Sequence, residues 1–263
     1  MPPEPSSPQQ IPSQAIARLA QVLPDDPYIR LRLPASTVDE VLVEEPHLGP
    51  AAAAWTSRRP NGERWGIACG GPPATLARLL ADLHDRQPLD GVTVPDEAFA
   101  SLAAHLTSPR PGHWSLWELR EGAHPDPGSA CLLEPGDERI RELLAHSPSA
   151  HVFPGDRPAT WAGVQQAGTL LSVAAQYREA NGLAHLVSIC THPSARGRGL
   201  AGAAIGLLVQ QARAQGCTGV MLEMYAANEA GRRAYRRAGF AELAQYRSGL
   251  LDAQRIMQPF ERR

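Results

Sequence analysis

Hydrophobic positions recur along this chain at two spacings, which separate short strands from amphipathic helices. Alternation at period two predicts strands at Tyr28–Leu33, Arg64–Cys69 and Trp114–Leu119, with a shorter one at Gly91–Val94. Thr37 to Val43 is compatible with a strand or a short helix. Thr75 is placed to cap a helix running to Asp85, with Leu76, Leu79, Leu80 and Leu83 on one face. Pro95 opens a second helix to His105, with Phe99 and Leu102 turned inward. A Gly-, Pro- and Asp-rich stretch from Glu121 to Ser129 interrupts the pattern and marks a domain boundary. Beyond it come a strand at Cys131–Leu133, a helix capped by Asp137 to about His146, and a hairpin of Trp161–Gln166 with Thr169–Tyr177. That hairpin turns at Gln166-Ala167-Gly168. Ala184–Thr191 is an apolar strand. A helix from Leu200 to Gln215 is stopped by Gly216, and a strand follows at Gly219–Tyr225. Asn228 caps a helix to Ala238, Gly239 stops it, and Phe240–Leu251 is a final strand or strand pair.

Strands and helices alternating in this way predict an α/β chain of the α+β type. The expected division is a flexible tail over 1–24 (helical only at Gln14–Val22), a first domain over 25–124, a second over 130–252, and a tail over 253–263. The 263 residues, 43% hydrophobic and 20% charged, suffice for one large or two small domains. No run of about 20 apolar residues predicts a membrane span, and the opening residues offer no export signal. The four cysteines (Cys69, Cys131, Cys190, Cys217) form no Cys-x-x-Cys pair, which points to a reducing cytoplasm. The histidines show no metal-binding spacing, so no metal is expected.

Charge changes the picture only toward the C-terminus. All 25 basic residues are arginine, and the Ala-, Arg- and Pro-rich usage suggests a GC-rich bacterial coding sequence. Residues 196–263 hold eleven arginines against five acidic residues, whereas the rest is net acidic. A cationic quarter suits a phosphate-bearing ligand, although a solvated helix face gives the same count. A pI near 6.5 and the lack of an aromatic-plus-basic stripe argue against nucleic acid.

The informative stretch is Val187 to Phe240. A strand runs into Arg196-Gly197-Arg198-Gly199-Leu200-Ala201 and then a helix. Glycines at 197 and 199 allow a tight turn and close approach to a ligand. The helix N-terminus presents free N–H groups and a positive dipole end, and Arg196 and Arg198 add charge. A pyrophosphate is the natural occupant. The loop is neither a Walker loop nor the dinucleotide Gly-x-Gly-x-x-Gly.

The order strand, Arg-x-x-Gly-x-Ala, amphipathic helix, strand, Asn, helix, Tyr, Gly-Phe resembles that of the GNAT-superfamily N-acetyltransferases. The resemblance covers about 130–251 and is most specific over Val187–Phe240. It implies the GNAT acyl-CoA N-acyltransferase fold with its mixed central sheet flanked by helices, acetyl-CoA as acyl-donor co-substrate, and an amine acceptor attacked directly in a ternary complex. It further implies that Ile189, Cys190 and Thr191, on a bulged strand splayed from its neighbour, pair with the pantetheine arm and hold the thioester carbonyl. The pyrophosphate would rest on Arg196, Gly197, Arg198, Gly199, Leu200 and Ala201, with Asn228 along the CoA arm. Tyr235 matches the family's general acid to the leaving thiolate.

A mostly protonated amine needs a base. Glu223, sharing a strand face with Met221 and Tyr225, is the candidate, with water as the alternative. Cys190 reads as core rather than as an acyl carrier. Trp161 to Val164 either packs in the core or lines the acceptor side. Residues 25–124 follow a similar order of elements without the Gly/Arg loop, so they are expected to be either a degenerate second copy that binds no CoA or an unrelated α+β cap. A tandem copy would complete the sheet and wall off the acceptor pocket. The alternative to catalysis is a non-catalytic CoA-binding regulatory or assembly module, and a monomer and a homodimer are both compatible with the sequence.

Overall fold

The two residues Asp26 and Pro27 redirect the first predicted strand. The structure, a computed structural model, describes residues 10–33, 37–45 and 49–252. The outer part of the expected N-terminal tail, residues 1–9, and the expected C-terminal tail, 253–263, lie outside the described residues. Residues Gln10–Val22 form helix α1, with Leu19 fully buried, so this part of the expected flexible tail is helical and packed. Tyr28–Leu33 is not a strand: Pro27–Leu31 forms helix α2. Asp26 Oδ1 accepts from the N–H of Tyr28 at 2.9 Å and of Ile29 at 3.2 Å, and Pro27 holds the first helical position. The apparent alternation was fortuitous, since the consecutive residues Tyr28 and Ile29 are both buried.

The chain forms two compact units, 1–114 with 244–263, and 115–243. The division falls inside a strand rather than in the Glu121–Ser129 loop. In the first unit, β1 (Val41–Glu44), β2 (Ala52–Arg58) and β3 (Arg64–Gly70) form an antiparallel meander. Helix α3 (Pro73–Arg86) crosses to β4 (Gly91–Pro95), which pairs with β3 in parallel from Trp65/Gly91 to Ile67/Thr93. Helix α3 starts at Pro73 behind Pro72, earlier than a Thr75 cap predicts, because proline suits the first helical position. The second predicted helix is broken into α4 (Asp96–Phe99) and a 3₁₀ turn at Ala104–Leu106. Strand β5 (Gly112–Leu119) follows. The unit's core gathers Leu76, Leu79, Leu80 and Leu83 of α3 with Val92 and Val94 of β4. The Asp26 carboxyl, also bonded to the Cys69 thiol and the Gly70 N–H, is raised above the ordinary aspartate range, mainly by burial.

In the second unit, β6 (Cys131–Leu133) leads to α5 (Glu138–Leu144), with Asp137 as N-cap. The meander β7 (Thr160–Gln166), β8 (Thr169–Arg178) and β9 (Ala184–Thr191) then runs through the predicted turn, where Ala167 and Gly168 both have positive φ. Helix α6 (Leu200–Ala214) crosses to β10 (Val220–Tyr225), parallel to β9. Helix α7 (Glu229–Arg237) and β11 (Phe240–Leu250) end the described fold. The strand order in this unit is β5-β10-β9-β8-β7-β6, and in the first unit β1-β2-β3-β4-β11. Each unit is therefore a mixed sheet flanked by helices, the architecture that the GNAT resemblance implies.

Two cores flank the second unit's sheet. On one face α6 contributes Ala204, Ile205, Leu208, Val209 and Ala212, packed with Trp117, Leu222 and Tyr235. Each of Ile205, Leu208 and Val209, fully buried, contributes about 1.5–3 kcal/mol relative to exposure. On the other face Ile140, Leu143 and Leu144 of α5 pack with Trp161, Val187 and Cys190. The Glu121–Ser129 segment is a strap across α6: a Cβ at Gly206 would lie 2.6 Å from the Asp126 carbonyl. Arg213 fastens the strap through the Ala123 carbonyl at 2.6 Å.

Candidate active site

The strands β9 and β10 separate where the chemistry is expected. Their parallel register runs from Ala184/Val220 to Leu186/Leu222. Beyond that point β9 continues to Thr191 and β10 to Tyr225. The cause lies in β9. Val187 pairs with Ala175 and Cys190 with Val173, so three steps on β9 match two on β8. One extra residue makes a bulge, and Ser188 has φ 50°. The bulge places Val187 and Ser188 on the α5 face, Ile189 on the α6 face and Cys190 back on the α5 face.

A serine in the left-handed region costs about 1–2 kcal/mol. Its surroundings offset this. Ser188 Oγ donates to the Val152 carbonyl at 2.6 Å and accepts from the Val152 N–H at 3.3 Å. Each buried hydrogen bond contributes about 0.5–1.5 kcal/mol.

Past the bulge, Ser172 Oγ bonds to the Cys190 carbonyl at 3.2 Å and to Thr191 Oγ1 at 2.9 Å. The Cys190 side chain points into the α5 core and donates to the Leu143 carbonyl at 3.3 Å. Burial pushes its thiol up, with Arg196 opposing. Cys190 is thus a core cysteine. Trp161 is likewise core, 2% exposed.

The loop after β9 is built as its glycines require. Gly197 has φ 80° and Gly199 φ 79°, and a Cβ at either would meet nothing within 4 Å. Gly199 is the N-cap of α6 and offers no side chain, so the first N–H groups of the helix (Leu200, Ala201, Gly202) remain open to an incoming acceptor. Arg196 Nε is anchored on the Thr191 carbonyl at 3.3 Å, and Arg198 reaches Gln166 Oε1 at 2.7 Å. His192 Nδ1 accepts from the Ser194 N–H at 3.3 Å, and the His192 ring meets His146 edge-on at 4.9 Å.

Asn228 caps α7 through its Oδ1 on the Gly231 N–H at 2.9 Å. One turn further on, Tyr235 is 7% exposed and packs edge-on against Trp117 at 6.2 Å and against Phe240 at 6.4 Å. Burial raises its hydroxyl to about 12, so it stays protonated at neutral pH. Arg232 is withdrawn from the solvated face of α7, whereas Arg236 stays exposed on it. Both pair with Glu242, and their guanidinium groups lie 5.7 and 5.9 Å from the Trp117 ring. Arg233, Arg236 and Arg237 are exposed.

Glu223 lies on β10 just past the last paired residue. Val220, Leu222 and Met224 belong to the α6 core with Tyr235, so Met221, Glu223 and Tyr225 face the other side. Glu223 is partly buried, its Oε1 shielded from solvent. Tyr235 and Glu223 therefore lie on opposite faces of the sheet. The sequence left Ser188 unnoticed; its one signal was a serine among the apolar residues of β9. Among the described residues no cluster of His, Cys, Asp and Glu could hold a metal ion, and no helix is long and apolar enough to cross a membrane.

The bulged strand therefore runs into a glycine-lined helix N-terminus whose first N–H groups are open. Comparison with known proteins gives the family. The Acetyltransferase (GNAT) family matches residues 113–240, and this segment is a GNAT acetyltransferase domain. A GCN5-related N-acetyltransferase from Kribbella flavida shares the fold at TM-score 0.52 and 15% identity, over 90% of this chain and 94% of that one. A GCN5-related N-acetyltransferase-like protein from Streptococcus suis 89/1591 does so at TM-score 0.53 and 14% identity, over 91% of this chain and 99% of that one. No curated protein matches the chain in sequence.

Proposed function

We propose that the protein transfers an acetyl group from acetyl-CoA to an amine by direct attack in a ternary complex. The observation that carries this reading is the bulge at Ser188 opening β9 from β10 directly before the Gly197–Gly199 loop. The residues fit the co-substrate: the open space at Gly197 and Gly199 and the free N–H groups at the start of α6 suit a pyrophosphate, with Arg196 and Arg198 beside it. Backbone groups of Ile189, Cys190 and Thr191 orient the thioester and stabilise the oxyanion as the amine attacks. Asn228 lies along the CoA arm. Glu223, or a water, takes the amine's proton, and Tyr235 returns one to the departing thiolate from the other face. The four cysteines are free thiols, which suits a cytoplasmic location.

We read the first unit as a degenerate copy. Its β2-β3-α3-β4-α4 succession repeats β8-β9-α6-β10-α7, down to three parallel register pairs on each side. Its crossover helix starts with Pro72 and Pro73, which have no N–H to offer an anion, so no CoA is expected there. Calorimetric titration with acetyl-CoA tests the main reading. Binding to the wild type and none to Gly199→Glu is expected, followed by amine-dependent thiol release in an acceptor screen. A wild type that ignores acetyl-CoA refutes it.

A further inference from the structure

Ser188 occupies the extra position of the β9 bulge, and nothing in its residue type favours φ 50°. Its hydroxyl closes on both backbone groups of Val152, at 2.6 and 3.3 Å, and Ser188 is 7% exposed. Val152 is itself held. It is 4% exposed in the α5 core, and the turn after it is fixed by the Phe153 N–H on Asp156 Oδ2 at 2.7 Å and the Asp156 N–H on the Phe153 carbonyl at 3.1 Å. The clamp therefore joins a rigid turn to the single residue whose conformation sets where Ile189, Cys190 and Thr191 point.

We propose that Ser188 is a positioning residue, whose hydroxyl on Val152 keeps the bulge in the one conformation that directs the β9 backbone at the thioester carbonyl. This rests on the acetyl-CoA reading above. A glycine at 188 relieves the backbone strain but removes the clamp. The bulge is then free to exchange with conformations whose N–H groups point elsewhere. Affinity for the nucleotide end, which sits on α6, is unaffected.

The test uses the full chain and needs no acceptor. Wild type, Ser188→Gly and the milder Ser188→Cys are titrated with CoA and with [1-¹³C]acetyl-CoA, and the carbonyl resonance of the bound thioester is recorded. The expected result is that both variants still bind CoA, through the nucleotide end on α6, with affinity reduced by no more than about tenfold as pantetheine pairing loosens. The carbonyl resonance, displaced by hydrogen bonding in the wild type, returns toward that of free acetyl-CoA in Ser188→Gly and part of the way in Ser188→Cys. A Ser188→Gly protein that binds CoA and keeps the wild-type carbonyl resonance overturns the role of Ser188 and leaves the acetyl-CoA reading intact. A wild type that binds neither compound overturns both.

Discussion

Helix α6 carries a glycine of nearly the same conformation at each end, which allows local strain to be separated from ligand binding. Gly199 begins the helix with φ 79°, Gly216 follows it with φ 68°, and a Cβ at either would meet nothing within 4 Å. Changing either to alanine should cost about 1–2 kcal/mol, the left-handed penalty without a clash. In a protein of this size that lowers Tm by about 2–8 °C, alike for the two variants. Acetyl-CoA should tell them apart. A methyl at 199 stands where the pyrophosphate approaches the α6 N-terminus, and losing one charge-assisted N–H contact, about 1.5–3 kcal/mol, weakens binding roughly tenfold to hundredfold. Gly216→Ala should bind as the wild type does. Differential scanning calorimetry and isothermal titration on the same samples give both numbers. Equal loss of binding in the two variants, or none in Gly199→Ala, refutes the placement of the pyrophosphate.

Tyr235→Phe keeps the packing on Trp117 and Phe240 and should lower turnover about a hundredfold or more with acetyl-CoA affinity unchanged. Full turnover would remove it as general acid. Because burial holds this hydroxyl at about 12 against an unfolded 10, the native state keeps its proton between those values while the unfolded state loses it. Stability should therefore fall as pH rises from 10 to 12, and Tyr235→Phe should flatten that fall in alkaline melts. Arg196→Ala should weaken acetyl-CoA about tenfold, read by titration. Asp26→Asn keeps an N-cap acceptor but removes a carboxylate whose proton is held more tightly in the folded state. Ionisation of such a group opposes folding, so the variant should gain Tm at pH 7, with the gain shrinking as pH falls and Asp26 protonates. A loss of Tm at pH 7 would show the hydrogen bonds to be worth more than the burial penalty.

The turns and caps of the candidate site were legible because their signals are local. Glycines at 197, 199, 216 and 239 occupy positive-φ positions, and Asn228 and Asp137 cap the helices that follow them. Each depends on its own few residues and survives any tertiary context. What the sequence hid is non-local. Strand β2 begins Ala-Ala-Ala, which carries neither alternation nor β-propensity, and it is a strand because five of its residues are buried between neighbours. The Tyr28–Leu33 alternation lost to a two-residue cap. The bulge at Ser188 is tied by its hydroxyl to a backbone 36 residues away, and no spacing within β9 announces that.

The pairing of β4 with β11 sets an order of assembly. Gly91–Pro95 takes its partner from Tyr246–Leu250, and Asp96 meets Arg247 at 2.6 Å. During synthesis β4 leaves the ribosome about 150 residues before that partner exists, roughly 10–30 s at ordinary elongation rates. Through that interval one edge of β4, with its Val92 and Val94, lacks its final partner, a template for pairing with another nascent chain. Removing β11 would make the interval permanent, so that strand protects the sheet of the first unit.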